Sequence, residues 1–136
     1  MASTIQETRR RIALDEIRVP ENVRALDPEH VKALAGSKHL GALRALTLRN
    51  CRVKDEGVEQ LAGSPLLARL EELNLRSNKL TDAAARALAA SPHTGGLLKL
   101  NINNNKGITR AGAELLWGAE GLAGCRIFTD HAKSKR

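Results

Sequence analysis

The stretch Leu70–Leu80, L-E-E-L-N-L-R-S-N-K-L, decides the fold, because its pattern occurs twice more at a constant interval. Leucine occupies its first, fourth, sixth and eleventh places, and asparagine occupies its ninth. The same grid fits Leu43–Val53 (L-R-A-L-T-L-R-N-C-R-V) and, with one extra residue near its end, Leu97–Ile108 (L-L-K-L-N-I-N-N-N-K-G-I). The starts lie 70 − 43 = 27 and 97 − 70 = 27 residues apart. Two equal intervals with one pattern indicate an internal repeat.

A helix is predicted after each of these strands. Val58, Leu61 and Ala62 have the i, i+3, i+4 spacing of a buried helical stripe, and this stripe recurs at the repeat interval. The helices are predicted to start with residues that cap helices well, at Asp27-Pro28, Asp55-Glu56, Thr81-Asp82 and Thr109. Each unit is therefore expected to be a strand, a loop and a helix.

The grid resembles the leucine-rich-repeat family, L-x-x-L-x-L-x-x-N/C-x-L. Its long unit, with a full helix, is similar to the ribonuclease-inhibitor-like class in its bacterial form. The resemblance implies an α/β solenoid, a short horseshoe of four to five repeats of about 27 residues. Parallel strands would line its concave face and helices its convex face. It also implies a protein partner and no catalysis.

The whole chain fits one such domain, residues 1–130. Leu14–Asn22 carries the grid with an interval of 43 − 14 = 29, which favours a degenerate first repeat. The alternative is a helical cap over residues 1–26. The predicted parts are an N-terminal cap (1–13), the degenerate repeat (14–42), regular repeats (43–121), a C-terminal cap strand (122–130) and a disordered basic tail (131–136).

The last unit is assigned from Leu122, at an interval of 122 − 97 = 25 residues. This alignment puts Cys125 at a core leucine place and Asp130 at the asparagine place. Trp117 and Phe128, the chain's two aromatic residues, are expected to cover the end of the core.

The ninth place of the grid is expected to hold a ladder of side chains that bond buried loop backbone. Its members would be Asn22, Asn78, Asn105 and Asp130, with Cys51 as the motif's cysteine variant. Cys51 and Cys125 would be about three strands, or roughly 14 Å, apart, which is beyond disulfide reach. Both are predicted to be buried thiols.

The net charge of +7 lies mostly at the two ends of the chain. Residues 12–130 hold 22 − 6 = 16 Lys and Arg against 15 − 1 = 14 Asp and Glu, a net charge of about +2. Basic ends attract polyanions without specificity. A nucleic-acid-binding accessory role therefore stays an alternative, and the scarcity of aromatic residues weighs against single-strand binding.

No motif of an enzyme, a cofactor site or a metal site is present in the sequence. The four histidines have no metal-ligand spacing, and the asparagines at 101–105 lack the carboxylates that calcium needs. No stretch is long and apolar enough to span a membrane, and the start has no secretory h-region. We expect a non-enzymatic cytoplasmic protein.

The concave face is the remaining candidate site. The grid places outward side chains at its third, fifth and seventh places. The third-place row contains Glu72 and Lys99; the fifth-place row contains Thr47, Asn74, Asn101 and Arg126; the seventh-place row contains Arg49, Arg76, Asn103 and Phe128. These residues are predicted to bind a partner protein, since arginine and aromatic side chains are enriched at binding hot spots. They could instead merely keep the sheet soluble.

The sequence thus predicts a protein–protein interaction module or scaffold, which could serve as a regulatory or signalling subunit. Self-association through the ends of the stack, giving a homodimer, is the other alternative, because the terminal strands of a short solenoid have unpaired edges.

Overall fold

Five short strands form one parallel sheet, in chain order and not closed into a barrel. The computed structural model describes residues 16–18, 28–36 and 43–131. The strands are β1 (Glu16–Arg18), β2 (Ala45–Thr47), β3 (Glu72–Asn74), β4 (Lys99–Asn101) and β5 (Arg126–Phe128). Within the described residues the fold is an α/β leucine-rich-repeat solenoid, as predicted.

The helices lie between the strands in the chain. They are α1 (Pro28–Ala35), α2 (Lys54–Ala62), α3 (Pro65–Arg69), α4 (Asp82–Ala90) and α5 (Arg110–Trp117), with a 3-10 helix at Glu120–Leu122. Helix α2 packs against both α1 and α4, and α4 packs against α5. The helices therefore form a second layer that follows the order of the sheet.

The register of the sheet repeats the sequence interval. Ala45 pairs with Glu72, Glu72 with Lys99, and Lys99 with Arg126, each 27 residues further on. Ala45 also pairs with Glu16, at an interval of 45 − 16 = 29. A strand in the degenerate first repeat is thus present and is paired as the longer interval predicts.

The core lies between the sheet and the helices. Leu46, Leu73 and Leu100, the middle residues of three strands, are at most 1% exposed. Val58 and Leu88 face them from the helices and are equally buried. Because full burial of such a side chain stabilises by about 1.5–3 kcal/mol, this stack of aliphatic residues is the main source of stability.

The predicted register of the last unit is wrong by two residues. Arg126 pairs with Lys99, and Phe128 pairs with Asn101, so the 27-residue interval continues to β5. Leu122 is buried within the 3-10 helix before the strand and does not start the grid there. Arg126 therefore belongs to the third-place row and Phe128 to the fifth-place row.

This shift corrects two further assignments. Cys125 falls at the second place of the grid, and it is half-buried and packed against the core. The prediction of a buried thiol is thus wrong for Cys125 and confirmed for Cys51. Phe128 lies on the concave face and is half-buried, so it does not cover the end of the core.

Helix α3 was not predicted from the sequence. Ser64 caps it, since its Oγ accepts a hydrogen bond from the Leu66 backbone N–H at 3.1 Å, and Pro65 follows at the first helical position. Helix α2 begins at Lys54, one residue before the predicted Asp55. The predicted starts of α4 and α5 are confirmed, with Thr81 and Thr109 as N-caps.

The Asn78 side chain forms hydrogen bonds with backbone groups of the preceding repeat and of its own repeat, as predicted for the ladder. Its Oδ1 accepts from the backbone N–H of Cys51 at 2.9 Å and of Val53 at 3.2 Å. Its Nδ2 donates to the carbonyl oxygens of Leu48 at 2.8 Å and Arg76 at 3.2 Å. One fully buried side chain therefore satisfies four buried backbone groups.

Asn105 repeats this arrangement in the next unit. Its Oδ1 accepts from the backbone N–H of Asn78 at 2.8 Å and of Leu80 at 3.1 Å. Cys51 takes the same place in the preceding repeat but bonds more weakly, because a thiol is a weak donor. Its Sγ donates to the Arg49 carbonyl oxygen at 3.3 Å. The ladder is thus confirmed for Asn78, Asn105 and the cysteine variant; Asn22 lies outside the described residues.

Asp130 does not belong to the ladder. With the corrected register it falls at the seventh place of the grid, and it is exposed. Its two carboxylate oxygens accept from the Asn104 backbone N–H at 3.1 and 2.9 Å. Its neighbour His131, assigned to the predicted tail, has Nε2 2.9 Å from the Ile108 carbonyl oxygen. The rest of that tail and the predicted cap at 1–13 lie outside the described residues.

Candidate binding surface

The concave face is built from the side chains that alternate with the buried leucines of the sheet. After correction of the last unit, it has three rows that run across the strands. They are the third-place row Glu72, Lys99 and Arg126, the fifth-place row Thr47, Asn74, Asn101 and Phe128, and the seventh-place row Arg49, Arg76 and Asn103. All ten residues predicted as site residues therefore lie on one surface.

Charge on this face is uneven. Arg49 is exposed and Arg76 half-buried, one repeat apart in the seventh-place row. In the third-place row, Glu72 is followed by Lys99 and then Arg126, all three exposed. The described part of this face thus holds four cationic side chains and one carboxylate, a net positive charge.

The ring of Phe128 forms cation–π contacts with two of these cations. The Lys99 Nζ lies 5.4 Å and the Arg126 Cζ 5.6 Å from the centre of its ring. Cation–π contacts of this kind stabilise by about 0.5–1 kcal/mol at exposed sites. Through these contacts the aromatic ring brings two long basic side chains close together at the β4–β5 end of the face.

Asn74 and Asn101 fix the bend where their strands end. The Asn74 Oδ1 accepts from the Arg76 backbone N–H, and the Asn101 Oδ1 accepts from the Asn103 backbone N–H, each at 3.0 Å. These local bonds fix the backbone from which the seventh-place side chains project. Their amide Nδ2 groups are left to act as donors on the surface.

Arg76 has a donor that is not used within the described part of the chain. Its Nε is buried and has no hydrogen-bond partner there. An unsatisfied buried donor costs about 1–3 kcal/mol, and this cost is recovered if the guanidinium turns towards an acceptor. The Arg76 guanidinium therefore keeps one unused donor beneath this face, within the described part of the chain.

A cavity of about 150 Å³ lies at the centre of the face. Its lining residues come from β2, β3 and β4: Leu46, Thr47, Glu72, Leu73, Asn74, Lys99 and Asn101. Sites for drug-sized ligands usually measure about 300–1,000 Å³. This cavity fits one protruding side chain of a partner better than a free cofactor.

The described residues contain no group of three His, Cys, Asp or Glu side chains that could hold a metal ion.

The pKa of Asp82 is lowered, chiefly because the Thr109 hydroxyl donates to its carboxylate at 2.6 Å. The Thr109 backbone N–H donates to the same carboxylate at 2.8 Å. Asp55 accepts from Thr81 in the same way one repeat earlier. Each carboxylate therefore links the start of its own helix to the N-cap threonine of the next long helix. We interpret this as a structural role.

Two features of the loops were missed from the sequence. The first is this Asp–Thr connection between repeats. The second is a row of basic residues, Arg52, Lys79 and Lys106, spaced by 79 − 52 = 27 and 106 − 79 = 27 residues. The interval that identified the strands would have shown this row as well.

Comparison with known proteins agrees with this architecture. A family model described as leucine rich repeat matches residues 43–62 and 69–89, which contain β2 with all of α2 and β3 with most of α4. No curated protein matches the chain at a significant level. None of the helices within the described ranges is long and apolar enough to cross a membrane. The two matches support a leucine-rich-repeat protein, and the fold is a short leucine-rich-repeat solenoid.

Proposed function

We propose that this chain is a non-catalytic interaction module that binds a partner protein through its concave face. Leucine-rich repeats generally mediate protein–protein interaction. Our proposal places the chain in the bacterial, ribonuclease-inhibitor-like class and gives it a cytoplasmic, regulatory or signalling role. The observation that carries the proposal is the set of ten polar, charged and aromatic side chains collected on one regular sheet face.

This face needs little reorganisation before it binds. The parallel ladder fixes the backbone of each row, and Asn74 and Asn101 fix the strand ends by local hydrogen bonds. Association is weakened by the ordering of loops and side chains, so a surface that is already ordered binds at a lower entropic cost.

The chemistry of the face favours an acidic partner surface. Arg49 and Arg76 can each offer a planar set of donors to a carboxylate, a geometry that lysine lacks. Lys99 and Arg126 add positive charge beside Phe128, which supplies apolar contact area. Four to five strands span roughly 20–25 Å at the usual strand spacing. One helix or one loop of a partner would cover this width.

The proposal is tested by affinity capture from a lysate of the source cells, with nuclease present. The bait would be wild type beside the Arg49→Glu/Arg76→Glu variant and, separately, Lys99→Glu. We expect a specific protein to be retained by wild type and lost from both concave-face variants, because each reverses charge on the proposed surface.

The matched control is Arg69→Glu/Arg86→Glu, which reverses two exposed charges on helices α3 and α4. Circular dichroism would show that every bait is folded. Retention of the same protein by the folded concave-face variants, or its loss from the helix variant alone, would contradict binding through the concave face.

Self-association is a second candidate, and the end of the sheet favours it. Ile127 in β5 is only half-buried, whereas Leu100 at the same place in β4 is fully buried. A second copy paired along β5 would cover this residue. Light scattering tests it: a dimer that Thr129→Glu dissociates would support self-association, and a monomer would exclude it at the concentrations used.

Nucleic-acid binding depends on the basic ends of the chain, residues 9–11 and 133–136, which lie outside the described residues. It predicts an affinity for nucleic acid that falls steeply with salt and is lost when both ends are removed. The nuclease in the capture experiment separates this alternative from a direct protein contact.

A further inference from the structure

A second candidate surface lies beside the concave face, on the loops that follow β2, β3 and β4. We call it the basic rim and define it by two rows, Arg52, Lys79 and Lys106, and Asn50, Ser77 and Asn104. Successive members of each row are 27 residues apart, and all three basic residues are exposed. Because neighbouring strands lie roughly 4.8 Å apart, the repeat brings like residues into adjacent positions.

The two rows enclose a groove. A cavity of about 430 Å³ is lined by Asn50, Ser77, Lys79, Asn104, Lys106 and Gly107. The lining therefore combines two ammonium groups with amide and hydroxyl groups, and among the described residues it includes no carboxylate and no aromatic ring. A ligand that contacts the ammonium groups of Lys79 and Lys106 would be anionic.

Within the described ranges, no carboxylate lies within ion-pair distance of Arg52, Lys79 or Lys106. The carboxylate of Asp130 does reach the rim, where it accepts from the Asn104 backbone N–H, and those of Asp55 and Asp82 each accept two hydrogen bonds from the threonine of the next repeat. The positive charge of the rim is thus available to an external partner.

The backbone of the rim is fixed before anything binds. Asn50, Ser77 and Asn104 have φ angles of 54°, 61° and 59°, in the left-handed region. The Asn50 N–H donates to the Arg76 carbonyl oxygen at 2.9 Å, and the Asn104 Nδ2 donates to the Ser77 Oγ at 2.8 Å. A groove held by repeated bonds presents its charges at a constant spacing.

We propose that the basic rim binds an acidic peptide segment of a protein, with carboxylates at Lys79 and Lys106. Arg52 extends the same row by one repeat. A single-stranded nucleic acid fits less well, because the groove offers no aromatic ring for base stacking.

The proposal concerns a different surface from the concave face and does not depend on it. The test is fluorescence anisotropy with the full chain and three labelled probes. These are a peptide of alternating Glu and Ser, the same peptide with Gln for Glu, and a single-stranded oligonucleotide of equal charge. We expect the Glu peptide to bind, more weakly as salt rises, and the Gln peptide not to bind.

Lys79→Glu/Lys106→Glu is expected to weaken binding of the Glu peptide about tenfold or more, because it replaces two attractive charges with two repulsive ones. The control Arg44→Glu/Arg69→Glu makes the same change in net charge near the opposite ends of the strands, and it should leave the affinity within about twofold of wild type.

Three outcomes would overturn the proposal. One is an equal loss of affinity in the rim variant and the control variant, which would show that only net charge matters. Another is tighter binding of the oligonucleotide than of the Glu peptide through the same two lysines. The third is no binding of the Glu peptide by a folded wild-type chain.

Discussion

Asparagine has two different roles in each of two repeats, and the two sites are only four residues apart. Asn78 and Asn105 point inward, are buried, and bond the backbone of neighbouring loops. Asn74 and Asn101 lie on the concave face, are half-buried, and bond only the backbone two residues ahead. The same side chain stabilises the solenoid on one side of the sheet and lies on the proposed binding surface on the other.

The difference arises from what surrounds each amide. Inside the loop stack, water cannot replace a lost hydrogen bond, so every polar atom needs a partner. On the concave face, water or a partner protein can supply the missing bond. Substitutions should therefore affect stability on the inward side and binding on the outward side.

Asn78→Ala should have the largest effect on stability. It leaves the N–H groups of Cys51 and Val53 and the carbonyl oxygen of Leu48 without their side-chain partner. Each unsatisfied buried group costs about 1–3 kcal/mol, so we expect a loss of about 3 kcal/mol or more in the free energy of unfolding. Urea unfolding followed by circular dichroism measures it.

Asn101→Ala is the matched control, because it removes the same amide from the concave face. It breaks one bond, to the Asn103 N–H, and should lower the free energy of unfolding by about 1 kcal/mol or less. Equal losses from Asn78→Ala and Asn101→Ala would mean that the two kinds of asparagine do not differ in the way described.

Gly107→Ala should have an intermediate effect. A Cβ at this position would lie 2.7 Å from the Leu80 carbonyl oxygen and 2.9 Å from the Thr81 Cγ2, so the loop must move. We expect about 1–3 kcal/mol of destabilisation, as for other crowded sites. Gly95→Ala is the control, since a Cβ there meets no atom within 4 Å. A stability loss from Gly95→Ala as large as that from Gly107→Ala would contradict this explanation.

Loss of the Asp82–Thr109 contact should have the smallest effect on the free energy of unfolding, and the size of this effect should depend on pH. Hydrogen bonds from Thr109 hold the pKa of Asp82 below its usual value of 3.8 in the folded state. The stabilisation is therefore present above about pH 4 and is lost as pH falls below that value, because protonation removes the charged acceptor. Wild type should lose more stability between pH 5 and pH 3 than Asp82→Asn, measured by urea unfolding at each pH. A steeper loss in Asp82→Asn would reverse the sign of the expected effect.

Much of the fold could be predicted because the repeat interval is strict where leucines define it. The first, fourth and sixth places each hold a leucine or isoleucine from 43 to 102, and their burial is the physical reason for the pattern. The last unit could not be aligned from sequence. Gly124 replaces the leucine of its first place, and the apolar residues Leu122, Cys125 and Ile127 fit a second alignment equally well. The hydrogen bonds of the parallel ladder, which the sequence does not show, decide between the two.

The sequence predicted which residues share the candidate surface, but it did not predict all of their positions or side-chain contacts. Alternation within the strands placed all ten residues on the concave face, but the rows of Arg126 and Phe128 were assigned wrongly with the last unit. The cation–π contacts of Phe128 and the buried Nε of Arg76 depend on side-chain positions that spacing does not determine.

The most direct test of the central claim is site-specific photo-crosslinking in lysate of the source cells. A photoreactive amino acid would replace Lys99, exposed on the concave face, or Arg86, exposed on helix α4. We predict that the Lys99 position captures a partner protein covalently and that the Arg86 position does not. Capture from Arg86 alone, or from neither position while the partner still binds, would contradict recognition through the concave face.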